Sequence, residues 1–114
     1  MITQEELFGK CPYATSQKIL SGKWALIILH HLSENKLRFG ELHKQLPELT
    51  QATLTKQLRT LEENGMIIRT VYAQVPPKVE YELSGIGIEF KEVLDSLKIW
   101  GDKYIEARNR IDQI

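Results

Sequence analysis

Cysteine is almost missing from this chain: Cys11 is the single one in 114 residues. That excludes an internal disulfide framework and fits a reducing setting. Net charge is missing as well. Fifteen Lys and Arg balance fifteen Asp and Glu, so the molecule is not a polycation, and any surface for nucleic acid has to come from local segregation of charge. No apolar run is long enough to span a bilayer, and no basic segment leading into an apolar stretch opens the chain. The expectation is a soluble, cytoplasmic protein that does not engage a membrane. Repeats, low-complexity tracts and Gly/Ser linkers are also lacking. Residues 1–114 therefore read as a single domain, long enough to bury about two-thirds of its unfolded surface without metals or disulfides.

The signatures of catalysis are absent too. There is no nucleophile elbow, phosphate loop or paired acid–base constellation, so an enzyme is not expected, nor a cofactor. His30, His31 and His43 do not make a metal site, because adjacent helical residues diverge by about 100° and no second cysteine or carboxylate cluster completes a ligand set. Trp24 and Trp100 fit a ligand pocket in principle, but large aromatics at helical spacing are more often core.

What is present is organised around residues 38–66. Phe39, Leu42 and Leu46 recur at helical spacing and predict a short amphipathic helix, which Pro47 ends by disfavouring helical geometry in the residue before it. Thr50 then suits an N-cap. Leu54, Leu58 and Leu61 give the next helix an apolar stripe, leaving Gln51, Ala52, Thr55, Lys56 and Arg59 outward. Side chains of these types can hydrogen-bond base edges or phosphate oxygens, or touch a thymine methyl. No carboxylate interrupts that face before Glu62. Gly65 fits a left-handed helix end. The plainer alternative is an ordinary solvated helix face.

On either side the pattern changes. Residues 1–12 form a polar, poorly patterned lead. Tyr13 to Leu20 predict a short helix, Gly22 a break, and Lys23 to Leu32 a central core helix carrying Trp24, Ile27, Ile28, Leu29 and Leu32. Ser33 to Lys36 read as a polar turn, with Leu37 and Arg38 as a minimal strand. From Met66 the period becomes two: Ile67, Arg69 and Val71 alternate with Ile68, Thr70 and Tyr72, and Val79, Tyr81 and Leu83 with Lys78, Glu80 and Glu82. Two strands joined by Ala73 to Pro77, stiffened by Pro76 and Pro77, make a hairpin. Helix, helix, hairpin in that order is a winged helix-turn-helix, with the wing at about 66–83. The last third reads as one long helix capped by Ser84, with Ile86, Phe90, Val93, Leu94, Leu97, Trp100 and Tyr104 at steps of three and four. Gly85, Gly87 and Gly101 weaken it locally by about 1 kcal/mol each. So much apolar surface beyond the winged core suggests a two-fold partner. The elements at about 1–20 and 84–110 are expected to form a homodimer, with Phe90, Leu94, Leu97, Trp100 and Tyr104 in the interface; the alternative is a helix folded onto its own domain. The fold class is thus mainly α with a small β-hairpin (α+β).

Cys11-Pro12, Gly22-Lys23-Trp24, Arg38-Phe39-Gly40-Glu41-Leu42, Leu54-Thr55 with Leu58 and Leu61-Glu62, Gly65 with Arg69, and Val71-Tyr72 followed by Val75-Pro76-Pro77-Lys78-Val79-Glu80-Tyr81 occur in one order. Together they resemble the HxlR-type transcription regulators, winged helix proteins related in architecture to the MarR group. The resemblance covers about Cys11 to Gly101, and its most specific part is the wing. It implies a small DNA-binding dimer that represses or activates nearby genes, often in stress responses. It lays a recognition helix on Thr50 to Asn64, a wing on Ala73 to Lys78, an N-terminal cysteine on Cys11 and a dimer helix on the segment ending at Trp100. Two departures stand out. Glycine replaces the more usual acidic residue beside the Ser84 cap, so the last helix is expected to fray at its start. The second cysteine that some members use for an inter-subunit disulfide is absent.

The partner expected is double-stranded DNA, met by two copies of the second helix in major grooves about 34–36 Å apart. The contacting set is Gln51, Thr53, Thr55, Lys56 and Arg59, with Arg59 or Gln51 reading bases and Lys56 a phosphate. Thr53 is the least secure, since completing the first turn would also account for it. Arg69, Lys78 and Gln74 are expected at the backbone or minor groove, and Arg38 and Lys44 at phosphates. Cys11 is the candidate sensor for a small electrophile or thiol, against the alternative of a small apolar packing residue. A winged helix that binds only another protein is the competing functional reading.

Overall fold

A computed structural model of the protein describes residues 2–112. Among these the elements run α1 (Gln4–Leu7), α2 (Pro12–Ile19), α3 (Ala25–Glu34), β1 (Leu37–Arg38), α4 (Phe39–Gln45), α5 (Gln51–Glu63), β2 (Ile67–Tyr72), β3 (Lys78–Leu83), α6 (Gly85–Glu89) and α7 (Lys91–Asp112). The strands form one antiparallel sheet in the order β1-β3-β2, with Leu37 opposite Tyr81 and Ile67 opposite Leu83. Helices α4 and α5 are the expected pair, and β2–β3 the expected wing. The minimal strand is real and closes the sheet on the far side of β3.

Leucine periodicity decides the core. Leu54, Leu58 and Leu61 of α5 are fully buried with Leu42 of α4 and Ile28 and Leu29 of α3. Leu37, Ile67, Tyr81 and Leu83 extend this core along the inner face of the sheet. Toward the tip that face runs out of cover, and Val71 is exposed where Ile67 is buried. The apolar arc of α3 is only partly used: Leu26 and Ile27 stay exposed. That is the first sign of a surface the single chain leaves uncovered.

Several boundaries differ from expectation for local reasons. The polar lead contains a four-residue helix, α1, whose first turn is closed by Glu6 N–H donating to the Thr3 hydroxyl at 3.2 Å. Helix α2 begins at Pro12, whose fixed φ suits a first helical position and whose missing N–H costs nothing there. Helix α3 starts at Ala25, after Lys23 and Trp24, and takes in Ser33 and Glu34 from the expected turn.

The expected single C-terminal helix is two. Phe90 N–H donates to Gly87 O at 3.1 Å and Ile86 O at 3.2 Å, a tightened turn that separates α6 from α7. Phe90 and Leu94 pack on the core from just beyond this break. The expected fraying is also overturned. The Ser84 hydroxyl accepts from Gly87 N–H at 3.1 Å and donates to Gly65 O at 2.5 Å. A Cβ at Gly87 would lie 2.2 Å from Met66 O, so glycine here permits close approach to the end of α5.

Helix α7 then leaves the body. The radius of gyration is 16.5 Å, against about 13 Å for a compact chain of this length. The expected single domain of 1–114 includes Met1, Gln113 and Ile114, and the N-terminal dimer segment at about 1–20 includes Met1; these three lie outside the described residues.

Candidate nucleic-acid interface

Three local devices fix the exposed face of α5. At its start the Thr50 hydroxyl accepts from Thr53 N–H at 3.1 Å and donates to the Thr53 hydroxyl at 2.9 Å. At its end Gly65, with φ +75°, allows a Schellman closure in which Met66 N–H donates to Leu61 O and Gly65 N–H to Glu62 O. Along its length the leucine stripe sets rotation. Gln51, Ala52, Thr55, Lys56 and Arg59 are left exposed, and with Thr50 they line one open depression. Thr53 is half-buried with its hydroxyl engaged by Thr50, so its place is in the turn that starts the helix.

Hydrogen-bond accounting sharpens what this face can offer. The Thr55 hydroxyl donates to Gln51 O at 2.8 Å. Its proton is used by the backbone, leaving a methyl group and an acceptor lone pair to face outward. Gln51 keeps both amide functions in solvent. Among the described residues Arg38, Lys44, Lys56, Arg59 and Arg69 make no ion pair, while Lys36, Lys98 and Arg110 each hold a carboxylate. These five unpaired cations lie on the helix-turn-helix and the adjoining strand.

The wing is less simply cationic. Arg69 stands on β2 opposite Tyr81, and a second depression joins Thr55, Arg59 and Glu62 of α5 to Arg69 and Tyr81. Gln74 is exposed at the tip, beside a fully exposed Val75. Lys78, expected at the backbone or minor groove, is half-buried: its Nζ lies 3.7 Å from Glu80 Oε2 and 4.8 Å from the centre of the Tyr72 ring. A hydrogen bond from the Tyr72 hydroxyl holds the Glu80 carboxyl below the ordinary carboxylate range and raises the tyrosine in turn. Lys36, hydrogen-bonded to Glu82, is held above its ordinary value. Arg38 is exposed at the start of α4, where its N–H donates to Glu41 Oε1 at 2.8 Å. Lys44 is exposed in the last turn of that helix.

The other singled-out residues separate clearly. Phe90 and Leu94 pack half-buried against the chain's own core, whereas Leu97, Trp100 and Tyr104 are 38%, 62% and 54% exposed, the Trp100 and Tyr104 rings tilted against each other with centroids 5.5 Å apart. Trp24 packs on the core. Cys11 is half-buried as the residue preceding α2; its N–H donates to Leu7 O at 2.8 Å and its carbonyl accepts from the Thr15 hydroxyl at 2.7 Å. His30 pairs with Glu34 and His43 Nε2 lies 2.8 Å from Leu49 O; no cluster able to hold a metal occurs among the described residues. Sequence reasoning passed over Gln57, half-buried on the flank of α5 against Gly22.

Comparison with known proteins agrees with this architecture. The profile of the HxlR-like helix-turn-helix matches residues 19–109. The HTH-type transcriptional regulator YdeP of Bacillus subtilis is 48% identical over 107 residues, covering 94% of this chain and 81% of the relative. A crystal structure of the HTH-type regulator ytcD superposes with a TM-score of 0.79 at 46% identity, covering 83% of this chain and 97% of that one. The redox regulator HypR in its oxidised form gives 0.75 at 41% identity, covering 82% of this chain and 96% of that one.

Proposed function

The chain belongs to the HxlR-like helix-turn-helix family and is a transcriptional regulator of the HxlR/MarR type, a non-enzymatic class; from that premise we propose that it reads a pseudo-palindromic operator as a homodimer. The observation that carries this reading is the outward face of α5. It is held clear of the body by its leucine stripe, and its cations have no carboxylate partner among the described residues. In this reading α5 enters the major groove. Arg59 and Gln51 reach base edges, and Thr55 presents its methyl or its free lone pair. Lys56 meets a phosphate, and Arg38 and Lys44 hold the backbone from α4. Arg69, Gln74 and Lys78 approach the adjoining backbone or minor groove from the wing.

Pairing of two copies is supported by α7. No helix of the described residues is long and apolar enough to cross a membrane. Yet Leu97, Trp100, Tyr104 and Ile105 remain uncovered on a helix that leaves the body, beside a hollow lined by Ile19, Leu20, Ile86, Phe90 and Val93. A two-fold partner covers such a surface. As a regulator acting on DNA, the protein works in the cytoplasm.

Titration of labelled duplex from the region upstream of its own gene, at several salt concentrations, tests the reading. Operator binding falls linearly in log–log form with salt if phosphates are contacted. Salt-independent behaviour, or no binding, leaves a module that binds proteins only.

A second reading concerns Cys11, and the similarity to a regulator named for redox control favours it. Two Cys11 thiols of a dimer, or one and a small thiol, lose two hydrogens to hydrogen peroxide; one S–S bond and two waters form. Oxidant-dependent release of DNA that persists in Cys11→Ser removes this role.

A further inference from the structure

Gly22-Lys23-Trp24 stands out in the sequence, and the reading of α5 makes no use of it. Residues 10–33 contain Lys10, Lys18 and Lys23 and no carboxylate, and residues 49–61 contain Lys56 and Arg59 and none either. In a chain with equal numbers of acids and bases these two stretches are depleted in the same way, and they meet. A Cβ on Gly22 would lie 2.2 Å from Gln57 Oε1 and 3.2 Å from its Nε2. The corner between α2 and α3 is thus packed directly on the flank of α5.

Which flank follows from helix geometry. Gln57 is two residues from both Thr55 and Arg59, about 200° around the helix from each. Thr55 and Arg59 share a depression with Arg69 and Tyr81 of the sheet. Gln57, and with it the corner, therefore lies on the side away from the wing. Lys23 is exposed there with no ion pair among the described residues, and its Nζ sits 5.6 Å from the ring centre of Trp24. That ring is packed on the core, so the lysine stem has a fixed base.

We propose that this corner, through Lys23, is a second DNA-contacting surface that takes a backbone phosphate on the side of α5 opposite the wing. The proposal rests on the DNA-reading assignment of α5 and extends its footprint. A helix in the major groove has a phosphate strand on each side. The wing and Arg69 account for one, and Lys23 accounts for the other. A Cβ at Gly22 would displace the Gln57 amide, the free end of a flexible side chain, so glycine lets the corner and that amide share the space.

The test compares Lys23→Ala, Lys23→Arg and Lys103→Ala in the full chain, binding operator duplex over a range of salt. Each lost phosphate contact lowers the log–log salt slope by about 0.9. Lys23→Ala on a dimer therefore lowers it by roughly 1.8, and its affinity deficit shrinks roughly tenfold over a fourfold rise in salt. Lys23→Arg keeps the slope, and Lys103→Ala, on α7, leaves it unchanged. Ethylation interference adds a positional readout: one phosphate per half-site stops interfering in Lys23→Ala alone. A wild-type slope in Lys23→Ala, or an equal drop in Lys103→Ala, overturns the corner while leaving the α5 reading intact. Absence of salt-dependent binding by the unaltered protein removes both.

Discussion

Replacing Gly87 by alanine should damage this protein more than any exposed substitution, although on helix propensity alone it should help. Gly87 is buried in α6 where that helix crosses the end of α5, and an added Cβ meets Met66 O at 2.2 Å and Leu83 Cβ at 3.3 Å. Ordinary contact begins near 3.4 Å, so more than 1 Å has to be found, and the obstacle is backbone. Met66 O also accepts from Ser84 N–H at 3.0 Å, so moving it loosens the cap of α6. Overpacking of this kind costs about 1–3 kcal/mol, against a gain of up to about 1 kcal/mol from alanine in a helix. With rigid backbone as the obstacle the upper end applies, and a net loss of about 2 kcal/mol is expected. Urea unfolding at fixed protomer concentration should show a midpoint lower by roughly 1 M for an m-value of about 2 kcal/mol/M. Gly85→Ala is the control: nothing lies within 4 Å of its Cβ position, so it should be neutral or stabilise by up to about 1 kcal/mol. A Gly87→Ala protein as stable as the parent would refute the reasoning.

Three further outcomes follow from the site and its supports. Arg59→Ala should weaken operator binding by about 1–3 kcal/mol and relax preference at one base position per half-site, read by competition with single-base operator variants; a uniform loss across all sequences would make Arg59 a phosphate contact instead. Trp100→Glu changes a side chain exposed in the single chain, so the fold should persist while sedimentation equilibrium shifts from dimer to monomer; a dimer of unchanged affinity would clear α7 of that role. Tyr72→Phe should raise the Glu80 pKa, because the tyrosine hydroxyl is the largest cause of its depression. A depressed carboxyl stabilises the fold fully above its unfolded pKa, and that contribution is lost as pH falls through the folded value. The variant should therefore lose less stability on acidification, and carboxyl NMR titration reads the shift directly.

How much of this was legible from the chain depends on whether a feature repeats. The stripe Leu54, Leu58, Leu61 with Thr50 before it and Gly65 after it states a helix, its rotation and both ends, and the alternation through Ile67–Tyr72 and Lys78–Leu83 states the wing. Helix α1 has four residues, too few for a period to register. The break at Phe90 is invisible because apolar spacings of three and four continue across it. Gly87 read as a weak point because its purpose depends on Met66 O, a contact made only by the fold. Lys78 read only as a residue for the backbone or minor groove, and its contacts with Glu80, two residues on along the same face, and with Tyr72, directly opposite, depend on the strand register. The Gly22–Gln57 contact joins segments 35 residues apart and has no local signature.

The most direct test of the central claim is hydroxyl-radical footprinting of the operator by the intact protein, with Lys56→Ala and Arg59→Ala alongside. Two protected stretches related by a dyad, with centres about one helical turn apart, both lost in the variants, are the predicted result. A single unrepeated patch, or a footprint untouched by either substitution, would contradict the account.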